Sequence, residues 1–103
     1  MISESDKRFL TDIAMPHFGV KRLRIKWSKS KASWPDIWIE MNGIPVITIT
    51  QEWARQSTRE RRKRLVHELI HTTGMGHSEK LGYSTYPSRD TYSKKVYEKI
   101  ING

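Results

Sequence analysis

The amino-acid sequence predicts a small α+β domain, and three observations predict it. An Asn42-Gly43 pair lies between two β-rich runs, residues 36–41 and 44–50, which is the strongest short-range signal for a β-hairpin. Ser57 and Glu60 form a capping box ahead of a helical pattern that reaches Gly74, a residue suited to the left-handed stop of a helix. Segments at both ends of the chain, about residues 5–15 and 90–101, carry apolar residues at helical spacing. The expected architecture is a small mixed sheet with an antiparallel edge hairpin plus three helices. With 103 residues, the chain fits one domain spanning 1–103 and one modest core.

Each element follows from local chemistry. In the first helix Phe9, Leu10, Ile13 and Ala14 share a face, and Pro16 should close it. In residues 20–27, Leu23, Ile25 and Trp27 alternate with Arg22, Arg24 and Lys26, the pattern of a half-solvated strand. A loop from Ser28 to Pro35 carries Lys29, Lys31 and Trp34. The Asn-Gly pair suggests a type I′ turn, in which both central residues have positive φ. The long helix has two faces at about 100° per residue: Leu65, Val66, Leu69 and Ile70 form an apolar stripe, with Glu60, Arg64, His67 and His71 on the far side. Val96, Tyr97, Ile100 and Ile101 form the stripe of the last helix.

The far side of the long helix carries the chemistry. Residues 67–77 read His-Glu-Leu-Ile-His-Thr-Thr-Gly-Met-Gly-His, an H-E-x-x-H-x-x-G-x-x-H pattern. Four residues advance about 400° on an α-helix, so His67 and His71 point the same way, about 6 Å apart along the axis. Two imidazoles so placed can hold one Zn²⁺ at about 2.0–2.1 Å each. Glu68 lies at the edge of that face, where it can reach an activated water without ligating the metal. Gly74 would turn the chain back and bring His77 in as third ligand, leaving the fourth position for water, as in a catalytic zinc site. A chain of this composition shows H-E-x-x-H by chance roughly once in a hundred, and the full pattern only a few times in 100,000.

These residues resemble the metzincin zinc metallopeptidases, and among them the matrixin branch. The likeness covers about Ile47 to Gly103. VITITQEW is similar to the matrixin strand leading into the active-site helix, and HELIHTTGMGHS to the zinc motif, Ser78 included. Tyr83-Ser84-Thr85-Tyr86-Pro87 stands where matrixins carry their Met-turn; Tyr86 and Pro87 agree, and Thr85 replaces the methionine. The resemblance implies a zincin-like (metzincin-like) fold in a minimal single-domain form and zinc-dependent endopeptidase activity. It also implies a peptide substrate lying along an edge strand, here residues 36–41. Tyr83 and Tyr86 are candidates for the oxyanion or for packing in the turn. Met75 does not substitute for the missing methionine by position, His17 reads as an ordinary histidine, and Glu79 as solvated surface.

Composition bounds the remaining possibilities. No cysteine is present, which excludes a disulfide scaffold, a thiolate zinc finger, an iron–sulfur site and a cysteine nucleophile. The acids in MISESDKRFL do not suit a signal peptide, so a cytoplasmic monomer is expected, with no membrane span. The formal charge is +8, which favours anionic partners. Two basic runs carry it: Arg59 with Arg61–Arg64, and Lys21, Arg22, Arg24, Lys26, Lys29 and Lys31 beside Trp27 and Trp34. They are either solvated faces or a nucleic-acid surface. The alternative to a peptidase is therefore a weakly active or inactive zincin-like domain that binds nucleic acid or protein.

Overall fold

A computed structural model describes residues 2–74 and 91–103. Among the described residues it holds a three-stranded mixed sheet and helical elements α1 (Glu4–Arg8), α2 (Met15–His17), α3 (Gln51–Ala54), α4 (Thr58–His71) and α5 (Thr91–Asn102). The strands are β1 (Arg24–Ser28), β2 (Asp36–Ile39) and β3 (Pro45–Thr50). None of the described helices is long and apolar enough to cross a membrane.

The N-terminal segment runs on where Pro16 was expected to close it. A π-helical turn, Phe9–Ala14, joins α1 to α2, and the Met15 N–H donates to the Leu10 carbonyl five residues back. Pro16 sits in the first turn of α2, where its missing N–H costs little. The wider π turn also rotates the buried face. Phe9, Leu10, Ala14 and Met15 are buried, whereas Ile13, expected inside, is 46% exposed.

β3 is the central strand. β1 runs parallel to it, with Ile25 opposite Ile47, and β2 antiparallel, with Ile37 opposite Ile47. The expected hairpin is present, but its turn differs from type I′. The Gly43 N–H donates to the Glu40 carbonyl, and the Glu40 N–H to the Ile44 carbonyl. Gly43 has φ +83°, and no described non-glycine residue has positive φ. This is a three-residue loop in which glycine takes the left-handed position after the turn, and the Asn42 Oδ1 accepts from the Ile44 N–H. The free position for Pro45 is the start of β3 opposite Ile39, near the hairpin end.

A short helix absent from the three-helix expectation, α3, begins where β3 stops. The Thr50 hydroxyl caps it by accepting from the Trp53 N–H, and Trp53 is 1% exposed, its indole donating to the Arg61 carbonyl. Ser57 then caps α4, accepting from the Glu60 N–H. The expected reciprocal bond is replaced: the Glu60 carboxylate reaches forward to Lys63 (2.9 Å) and Arg64 (3.3 Å). The α-helix ends at His71, and the tightened turn that follows closes with the Gly74 N–H donating to the His71 carbonyl. Gly74 has φ +92°, as its place at the helix stop requires.

The core forms between the inner sheet face, α4 and the N-terminal helices. Leu65, Val66, Leu69 and Ile70 are buried as the helical stripe required, against Ile47, Ile49, Phe9 and Leu10. α5 adds Tyr97, edge-on to Phe9 at 5.8 Å, with Tyr92, Val96 and Ile100 packed alongside. Ile101, expected in that stripe, is 45% exposed.

Candidate metal centre

α4 brings three of the predicted residues together. Suitable ligand atoms of His67, Glu68 and His71 all lie within 4.8 Å of one another. The two imidazole centroids are 4.9 Å apart and the rings nearly perpendicular, at 81°. This is the consequence of i,i+4 spacing on a straight helix. Two nitrogens at about 2.0–2.1 Å from one zinc ion can be no more than about 4.2 Å apart, so small side-chain rotations suffice to chelate. An uncharged two-nitrogen donor set with an adjacent carboxylate suits zinc.

The polar face of α4 is more enclosed than its amphipathic pattern indicates. His67 and Glu68 are 2% and 5% exposed, and His71 is half-buried. Two segments distant in sequence cover His67. The Trp34 ring meets it edge to face at 4.9 Å. From α5, the buried Ser93 hydroxyl lies 3.4 Å from His67 Nδ1. A partner at Nδ1 would leave ligation of a metal to Nε2. Trp34 is itself held by Arg64, whose guanidinium carbon lies 4.8 Å from the ring centroid and whose Nη1 donates to the Ser33 carbonyl at 2.7 Å.

The basic run leading into the motif is engaged internally. Arg61 and Arg62 both bind the Asp6 carboxylate, at 2.7 and 3.0 Å, and Asp6 is 2% exposed. Burial pushes the Asp6 carboxyl up, but hydrogen bonds and charge from the two guanidiniums outweigh it and hold the group below its ordinary range. For Glu60 too, burial raises and the Lys63 and Arg64 contacts lower, with the lowering dominant. Arg59 pairs with Glu98 of α5. These pairs tie α1 and α5 to the helix that carries His67 and His71.

His77, Tyr83, Thr85 and Tyr86 lie outside the described residues, as do Met75, Ser78, Glu79 and Pro87. His17 is apart from the cluster, at the end of α2 against Phe18. Sequence reasoning missed Ser93 and Trp34 as neighbours of His67, since each comes from a separate element and neither belongs to a motif. β2, expected as the edge of the sheet, does occupy one end of it. Comparison with known proteins finds no matching family model, no similar curated protein and no similar solved structure.

Proposed function

We propose that this protein is a zinc-dependent endopeptidase of metzincin type, with His67, His71 and His77 as metal ligands and Glu68 as general base. The observation that carries the reading is the meeting of His67, Glu68 and His71 ligand atoms on one face of α4. The eleven-residue spacing in sequence supports His77 as the third ligand. When bound, zinc supplies Lewis acidity that lowers the pKa of a water and polarises a peptide carbonyl.

The residues of the chain divide the remaining work. His67 and His71 hold the ion as neutral imidazoles. Ser93 at Nδ1 of His67 orients that ring. The Glu68 carboxylate accepts a proton from the attacking water and passes it to the leaving amine. Its enclosure beside the imidazoles keeps bulk water from competing for that proton. The outer backbone groups of β2, on the side away from β3, suit an extended peptide added as a further strand. Tyr83 and Tyr86 remain candidates for stabilising the oxyanion, and Thr85 takes the Met-turn place.

A peptide-library cleavage assay on zinc-loaded protein, with and without chelator, tests the reading. Cleavage should disappear with chelator and return with zinc. Glu68→Ala should retain stoichiometric zinc and lose about 10²–10⁴-fold in rate. Protein that binds no zinc, or a Glu68→Ala variant as active as wild type, rejects it.

A further inference from the structure

We infer that the outer face of the sheet, centred on Lys26 and Trp38, binds single-stranded nucleic acid. The two basic runs of the chain differ in how their charge is used. The helical basic run is occupied by Asp6, Glu60 and Glu98, so it offers little to an external anion. The strand run is different. No acid occurs between Asp12 and Asp36, whereas Lys21, Arg22, Arg24, Lys26, Lys29 and Lys31 all fall in that interval. All six are exposed, and among the described residues only Arg24 has an acidic partner, Glu40 at 2.8 Å.

The strand register determines which of them share a face. Lys26 pairs with Thr48, and Arg24 and Trp38 both pair with Val46. Paired residues project to the same side of a sheet, and Ile25, Ile37, Ile47 and Ile49 point into the core from the other. The outer face therefore presents Arg24, Lys26 and Trp38 together. Trp38 is 41% exposed, with the Lys26 ammonium 5.7 Å from its ring centroid. A half-exposed tryptophan on a sheet face is a stacking platform for a base, and Arg24 and Lys26, two positions apart on β1 and so about 6.6 Å from one another along the strand, can meet successive phosphates. A cleft of about 340 Å³ continues the face beneath the 28–35 loop, lined in part by Ser28, Trp34 and Thr48. Asp36 beside that cleft works against a rigid phosphate wall and suits the donor edge of an unpaired base. A single strand, with bases free to stack, fits this surface better than a duplex, which offers phosphates alone, or an acidic peptide, which offers no ring to Trp38.

The test is fluorescence anisotropy of a labelled oligothymidylate against the full chain, with and without chelator, over a range of salt. Chelator should leave binding unchanged. Lys26→Ala should reduce the steepness of the log Kd against log salt plot by about 0.7, the value for one phosphate contact on a single strand. Trp38→Ala should weaken binding about tenfold at fixed salt with little change in steepness, and Trp38→Phe should restore most of the loss. Lys94→Ala, an exposed cation on α5, should behave as wild type. Absence of binding, equal binding of Trp38→Ala, equal affinity for duplex, or equally effective competition by polyglutamate each overturns the inference.

Discussion

Replacing Asp6 by Asn removes the charge that joins α1 to α4 while keeping the shape of the side chain. In the native protein two guanidiniums converge on one carboxylate that is 2% exposed, and their own side chains are only 19% and 21% exposed. Without the carboxylate's charge, two positive groups remain close together in a poorly solvated place. Removal of one member of a buried ion pair costs about 3–5 kcal/mol. Because the guanidiniums keep some contact with water, the lower end, about 3 kcal/mol, is the expected loss. In a domain of this size each kcal/mol moves Tm by about 4–8 °C, so the midpoint should fall by more than ~10 °C. Urea denaturation at neutral pH, followed by tryptophan fluorescence, measures the free-energy change. The pH dependence supplies an independent check. The folded carboxyl titrates below its unfolded value, so its contribution is complete above about pH 4 and is lost as pH falls through the folded value. Wild type should therefore lose stability in that acid range, and Asp6→Asn should lose less. A loss under ~1 kcal/mol, or unchanged acid sensitivity in the variant, would refute the reasoning.

Other consequences can be checked with the same preparations. Ser93→Ala should weaken zinc binding about 10–100-fold, the usual effect of losing the partner of a ligating histidine; competition with a chromogenic chelator reads it, and an unchanged Kd removes Ser93 from the site. Gly74→Ala should cost about 1–2 kcal/mol in thermal unfolding, because its φ of +92° is strained for an L side chain, even though a Cβ there meets none of the described residues within 4 Å. Zinc at a free concentration of about 100 Kd should stabilise the protein by about 2.7 kcal/mol, and a Tm insensitive to zinc contradicts a preformed site. In the cleavage assay Glu68→Ala separates metal binding from proton transfer, as set out above.

Local patterns were legible where one short stretch of chain sets the outcome. The Ser57 cap, the α4 apolar stripe, the glycine stop and the hairpin each depend on interactions within a few residues. The same is true of the facing pair His67 and His71, since helical geometry alone aligns them. Legibility failed where a competing partner or a local change of helical pitch, whether near or far along the chain, overrides the simple pattern. Glu60 was expected to close a capping box, but Lys63 and Arg64 provide charged donors, which bind a carboxylate more strongly than a backbone N–H. Ile13 fits the helical stripe on paper, but the π turn before Pro16 rotates it to solvent. Arg61 and Arg62 read as surface charge because Asp6 is more than fifty positions away.

The facing His67 and His71 on α4, the cap of that helix and its apolar back were written in the order of residues, because hydrogen bonds and side-chain directions on a helix repeat at a constant step. The enclosure of His67 by Trp34 and Ser93, the engagement of the helical arginines and the open basic face beside Trp38 came from packing. Those features depend on which elements meet across the core and in what register the strands pair, and neither is encoded in any single stretch of the chain. The spacing of the histidines thus points to the chemistry, while the folded arrangement distinguishes cations that hold the domain together from those left facing solvent.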